Sequence, residues 1–183
     1  MDEQNNSQYE TAIFAGGCFW CTEAVFQRLI GVKEVISGYT GGQIKNPAYR
    51  EICTGRTGHA EGIQVRFDPN EISYQELLEV FFATHDPTTL NRQGNDVGTQ
   101  YRSEIFYTSE AQKEMAERFI QTLDAQKVFP NKIVTAVSPE APFYKAEIEH
   151  QNYYNDNSYQ PYCQFVIHPK LKKLEQHFSA KTQ

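Results

Sequence analysis

The period of apolar and polar positions changes several times along the 183-residue chain. A short apolar run, Thr11-Ala12-Ile13-Phe14-Ala15, predicts a first strand. Gly16 and Gly17 end it, and helical spacing takes over from Cys18 to about Arg28, where Gly31 closes the unit. Val32 to Tyr39 reads as a second strand, stopped by Thr40-Gly41-Gly42, and Asn46-Pro47 opens a short helical turn through Ile52. His59 to Phe67 alternates. Glu61, Ile63, Val65 and Phe67 fall on one face; Ala60, Gly62, Gln64 and Arg66 fall on the other. Asp68-Pro69-Asn70 stops this strand. Ser73-Tyr74-Gln75-Glu76 is a capping box ahead of Tyr74, Leu77, Leu78 and Phe81 at helical spacing.

A polar, turn-rich segment then runs from Asp86 to Gln100, and a loop of that length inside a compact domain is often functional. Glu104 to Tyr107 predicts a strand. A second capping box, Ser109-Glu110-Ala111-Gln112, precedes a buried stripe of Met115, Ala116, Phe119, Ile120 and Leu123. Ile133 to Val137 predicts a strand, Ala146 to Tyr154 a helical segment, Cys163 to Ile167 a last strand and Pro169 to Phe178 a last helix. Strands and helices mix without strict alternation, so the expected class is α+β in two layers. No repeat or low-complexity tract divides the chain. A single domain over 1–183 is expected, with residues 1–9 as a flexible extension.

Charge and composition narrow the function. A net charge of −6 argues against a nucleic-acid surface. The densest basic cluster, Lys170-Leu171-Lys172-Lys173, reads as the solvated face of the terminal helix. No apolar run approaches a membrane span, and Met1 to Glu10 is too acidic and polar for a secretory signal. Four cysteines at uneven spacing do not make a disulfide scaffold. They fit a reducing cytoplasm, where a cysteine is more often catalytic than structural.

The chemistry centres on Gly16-Gly17-Cys18-Phe19-Trp20-Cys21. A strand, a double glycine and a helix start put Cys18 where unpaired N–H groups and positive partial charge favour a thiolate. Phe19 and Trp20 either join the core or line a pocket beside the sulfur, because consecutive rings in a first turn point in different directions. Cys21 sits one turn on, within disulfide range of Cys18, yet it also falls on the buried stripe with Ala24, Val25 and Leu29. Glu61 shares the apolar face of its strand. Burial there raises a carboxyl pKa and suits a general acid, unless the register is one residue off or the strand end reaches water. His59 and His150 are candidates for supporting groups. A zinc site is disfavoured because Cys53 and Cys163 form no second close pair.

These residues belong to five blocks: Gly16-Gly17-Cys18-Phe19-Trp20; Gly38-Tyr39-Thr40-Gly41-Gly42; Thr57-Gly58-His59-Ala60-Glu61; Asn95 through Ser103; and Ala146-Glu147 with His150-Gln151. Together they resemble the peptide methionine sulfoxide reductases of the A class, over about Phe14 to Leu174. The resemblance implies a two-layer α/β sandwich with a ferredoxin-like core. It implies Cys18 as the nucleophile toward sulfoxide sulfur, and Phe19 and Trp20 as the seat of the S-methyl group. Glu61, Tyr39 and Tyr101 would bond the sulfoxide oxygen, with Glu61 delivering the proton, and Asp96 would help position the substrate. The implied cycle passes through a sulfenic acid on Cys18 and an intramolecular disulfide to an external dithiol, thioredoxin, with no cofactor and no metal. A cytoplasmic monomer is expected. Many members carry the resolving cysteine on a glycine-rich C-terminal tail, but no glycine follows Gly98 here. Cys21 is therefore the first choice for that role and Cys163 the alternative. Position 149, often tyrosine in the family, is Glu149. Two other readings compete: a thioredoxin-type thiol–disulfide oxidoreductase using Cys18 and Cys21, and a non-enzymatic module that holds methyl-bearing side chains.

Overall fold

The computed structural model describes residues 8–183, so the first seven residues of the expected 1–9 extension lie outside the described residues. In chain order the elements are β1 (Glu10–Gly16), α1 (Phe19–Gln27), β2 (Val32–Thr40), α2 (Tyr49–Ile52), β3 (Ala60–Phe67) and α3 (Tyr74–Thr84). Two short strands follow, β4 (Arg92–Gln93) and β5 (Asp96–Val97), then a 3-10 turn (Thr99–Tyr101), β6 (Ser103–Tyr107) and α4 (Glu110–Ala125). The C-terminal part holds β7 (Ala136–Pro139), β8 (Phe143–Lys145), a 3-10 turn (Ile148–His150), α5 (Tyr153–Asp156), a π-helical turn (Cys163–Ile167) and α6 (His168–Phe178).

Six strands form one sheet in the order β7-β6-β1-β3-β2-β8, and β4 pairs with β5 as a separate ribbon. Only β6 and β7 run parallel as neighbours. β3 lies between β1 and β2, and β1 lies between β3 and β6, each as an antiparallel neighbour. The units β1–α1–β2 and β3–α3–β6 are thus each split by a strand of the other. The protein is α+β, as the mixed periodicity predicts.

One face of the sheet meets the helices. Phe14 of β1 stacks on Phe26 of α1 at 5.3 Å, Phe81 of α3 at 4.9 Å and Tyr74 of α3 at 6.0 Å. Ser73 caps α3 as the capping box predicts: its side chain accepts from Glu76 N–H at 3.1 Å. The opposite sheet face carries a smaller cluster of Ile13, Ala15, Ala60 and Phe106 under Phe143.

The structure corrects three expected elements. The strand placed at 133–137 runs over Ala136–Pro139 instead. Ile133 N–H bonds Asp124 Oδ1 and Val134 N–H bonds Pro87 O, so the chain joins the sheet only after both donors are spent. Cys163–Ile167 is a helical turn that continues into α6, not a strand. Cys163 and Ile167 are buried while Phe165 is 82% exposed, so the buried positions are four apart rather than two. The segment from Ala146 is two short turns, broken where Asn152 takes a left-handed backbone with φ +58°. β8 was not expected: three residues after Pro142 are too few to show a period.

Candidate active site

The turn into α1 is shaped by Gly17. Its φ is +89°, and a Cβ there would meet Gln93 Cγ at 2.7 Å. Gln93 closes the loop in front of it, accepting from Asp86 N–H and donating to Asp86 O, both at 2.9 Å. Cys18 then occupies the N-cap position of α1, and its carbonyl accepts the Cys21 N–H at 3.0 Å.

Cys18 is 8% exposed, enough to be touched from solvent but mostly enclosed. Burial pushes its thiol well above the usual range, and the hydrogen bond to Cys21 pushes the same way. This reverses the expectation of ready ionisation, because desolvation outweighs the helix terminus. Cys21 is the lower of the pair, held down to about 7 by the Cys18 thiol that donates to it, against its own burial. The two thiols share one hydrogen bond and titrate as a pair, with Cys18 donating to Cys21. Cys163 is also buried, and burial together with the charge of Cys21 raises its thiol. All four cysteines are free, and Cys53 is exposed.

Glu61 stands on β3 directly across from Tyr39 of β2, which puts both side chains on the helix-covered face. The carboxyl is 1% exposed, and burial pushes it up to about 8 although Phe19 N–H bonds Oε1 at 3.2 Å. At neutral pH it holds its proton. The Tyr39 ring lies 5.6 Å from that of Phe19, and its hydroxyl donates to Glu147 Oε1 at 3.1 Å. Tyr101 ends the 3-10 turn, and burial above all keeps its phenol protonated. Asp96 of β5 accepts the Tyr162 hydroxyl at 2.9 Å. That same hydroxyl lies 3.5 Å from Cys21 Sγ. With one proton for two acceptors, Tyr162 serves Asp96 while Cys21 is a thiol and can turn to Cys21 when it ionises.

Phe19 is fully buried and Trp20 half-buried. The Trp20 ring lies parallel to Tyr153 at 3.8 Å, meets Tyr162 edge-on at 5.8 Å, and donates Nε1–H to His150 Nδ1 at 3.2 Å. His59 serves a loop instead. Its Nδ1 accepts from Gly42 N–H at 3.0 Å, so Nε2 carries the proton toward Ile44 O at 2.6 Å.

Sequence reasoning missed Tyr49, Tyr153 and Tyr162 and assigned no role to Glu147. Glu147 takes Tyr39 on one oxygen and Tyr49 N–H on the other at 3.0 Å. The tyrosines sit in short irregular segments with no period to mark them; only the position of Tyr162 beside Cys163 gave a signal. Glu147, Glu149 and His150 offer ligand atoms within 4.8 Å of one another, but two of the three already serve as hydrogen-bond acceptors for the site. A groove of about 710 Å³, lined by Thr11, Gln64, Tyr74 and Gln112 among others, does not have Cys18 in its walls. No helix among the described residues is long and apolar enough to cross a membrane.

Known proteins match this arrangement along nearly its whole length. The family model described as peptide methionine sulfoxide reductase matches residues 10–182. Peptide methionine sulfoxide reductase MsrA of Deinococcus radiodurans is 55% identical, over 99% of this chain and 91% of that protein. Among solved structures, reduced Mxr1 from Saccharomyces cerevisiae superposes with a TM-score of 0.78 at 34% identity, covering 86% of this chain and 90% of that one. The same yeast protein in complex with Trx2 matches with a TM-score of 0.55 at 26% identity, covering 80% and 86%. Matched in this way from Glu10 to Thr182, with a cysteine at a helix start and a buried carboxyl bonded to the next residue's N–H, the chain belongs to the peptide methionine sulfoxide reductase family.

Proposed function

We propose that this protein reduces methionine S-sulfoxide, free or in proteins, and is recycled by thioredoxin. One observation carries the chemistry: Glu61, pushed up to about 8, bonds the backbone N–H of the residue next to Cys18. A sulfoxide oxygen leaves only when protonated, and a buried neutral acid beside the nucleophile meets that need. Phe19 and Trp20 seat the S-methyl group. Tyr101, and Tyr39 once its hydroxyl turns from Glu147, join Glu61 around the oxygen, and Asp96 orients the substrate. Cys18 passes its proton along the existing hydrogen bond to Cys21 and attacks sulfur. The oxygen moves to Cys18 as a sulfenic acid, and methionine leaves. Cys21 then condenses with that sulfenic acid, forming a disulfide and releasing water; Cys163, raised by the charge of Cys21, is the alternative. An external dithiol opens the disulfide. The Trx2 complex of the yeast relative supports thioredoxin in that step.

The two interlocked split units, in the order β6-β1-β3-β2, support a ferredoxin-like core in a two-layer sandwich. We read 1–183 as one domain working as a cytoplasmic monomer, in keeping with four free thiols. A thioredoxin-type oxidoreductase is not favoured, because the family model over residues 10–182 and the 55% identical Deinococcus radiodurans relative are both methionine sulfoxide reductases.

The test is turnover of methionine S-sulfoxide with dithiothreitol. Methionine should appear, Cys18→Ser should abolish it, and no loss of sulfoxide would sink the proposal. Disulfide mapping after one turnover without reductant assigns the resolving thiol. Cys21→Ser should accumulate sulfenic acid on Cys18; prompt appearance of a Cys18–Cys163 bond in that variant moves the role to Cys163.

A further inference from the structure

Glu23 is a buried carboxyl that no step of this cycle uses. It lies on α1 one turn beyond Trp20 and is 1% exposed. Oε1 accepts the Tyr153 N–H and Oε2 the Ser37 hydroxyl, each at 3.1 Å, and the Asn152 N–H also points to it. A buried carboxyl that gathers two backbone donors and a hydroxyl is a fixed anchor. It holds the strained junction where Asn152 is left-handed and Tyr153 begins α5. Gln151 ties the same junction to β2, accepting from Ser37 N–H at 3.0 Å and donating to Ser37 O at 2.8 Å. Tyr153 leaves this anchor with its ring against Trp20, 9° from parallel.

We propose that Glu23 is a positioning residue for the substrate's methyl seat. It pins the backbone of Tyr153, Tyr153 fixes the plane of Trp20, and Trp20 presents one wall to the S-methyl group. The proposal rests on the reductase reading of the site and adds the residue that sets its shape. Glu23 acts on substrate affinity through Trp20 and leaves the reacting sulfur and Glu61 untouched.

Trp20 is the single tryptophan of the chain, so its fluorescence reports this contact without turnover. Glu23→Ala should shift the emission to the red and open Trp20 to acrylamide. It should raise KM for the sulfoxide roughly tenfold, the size of one lost buried hydrogen bond, with kcat little changed. Glu23→Gln keeps an oxygen for the Tyr153 N–H and should restore both readouts. In a Tyr153→Leu background Glu23→Ala should add nothing further. Unchanged emission in folded Glu23→Ala overturns the proposal. So does a red shift with unchanged KM, or additivity with Tyr153→Leu. Ser37→Ala releases one oxygen of the anchor and gives the same red shift on a smaller scale; it carries the test should Glu23→Ala not fold, and an unmoved emission there also overturns the proposal. If the native enzyme turns over no sulfoxide, the reductase reading falls, while the emission series still scores the link from Glu23 to Trp20.

Discussion

The acid role proposed for Glu61 sets function against stability. The carboxyl ionises near 4.5 in the unfolded chain and near 8 in the folded one. Between those values the native state binds more protons. Stability is therefore full below about pH 4.5 and is lost as pH rises through about 8. Glu61→Gln keeps the acceptor for Phe19 N–H and removes the charge. It should stabilise the fold by on the order of a few kcal/mol above pH 8 and by nothing near pH 4, read by urea melts across that range. The same variant should slow single-turnover reduction about a hundredfold or more, and the native rate should fall as pH rises through about 8. An unchanged single-turnover rate in Glu61→Gln would remove it as the acid. The alternation of Ile63, Val65 and Phe67 made this burial legible. The thiol was not legible: a helix start is visible in Gly-Gly-Cys, but the desolvation that opposes it comes from the burial of Cys18 in the folded chain.

The elements that carry the site are held by side chains whose purpose a sequence conceals. Arg102 donates to Thr99 O and Gly58 O, both at 2.9 Å, and to Glu104 Oε1 at 2.8 Å. One planar fork thus locks the turn bearing Tyr101 to the loop leading into β3. Arg102→Ala strands Glu104, which keeps only the Ser138 hydroxyl at 2.6 Å. The expected loss is about 2 kcal/mol in thermal or urea unfolding, with a fall in activity as Tyr101 drifts; Arg102→Lys should recover little, since an ammonium cannot fill the fork. Long elements with a clear period, α1, β3, α3 and α4, were readable from spacing and caps. Short ones were not. β8 and α5 have three and four residues, and their places follow from partners distant in sequence, Thr40 through Gly38 for β8 and Glu23 for α5.

Across the whole molecule, the α+β class followed from mixed periodicity, but the interlocking of β1–α1–β2 with β3–α3–β6 depends on pairings that no single segment announces. That interlocking brings Cys18, from the end of β1, against Glu61, from the start of β3. The C-terminal segment completes the enclosure, and there the sequence misled: Cys163, Phe165 and Ile167 alternate as a strand would, yet they wind as a π-helical turn. Its defining bond runs from His168 N–H to Cys163 O. Such wide turns have poorer hydrogen-bond geometry than the α-helix they join, and so a lower free energy of opening. Amide hydrogens from Gln164 to His168 should therefore exchange with deuterium faster than those of Leu171 to Leu174 in α6, measured by mass spectrometry on the reduced protein. Equal protection in both stretches would show that the turn opens only with the helix. With unequal protection, the thiol of Cys163 rides on the part of the C-terminal helix that exchanges first.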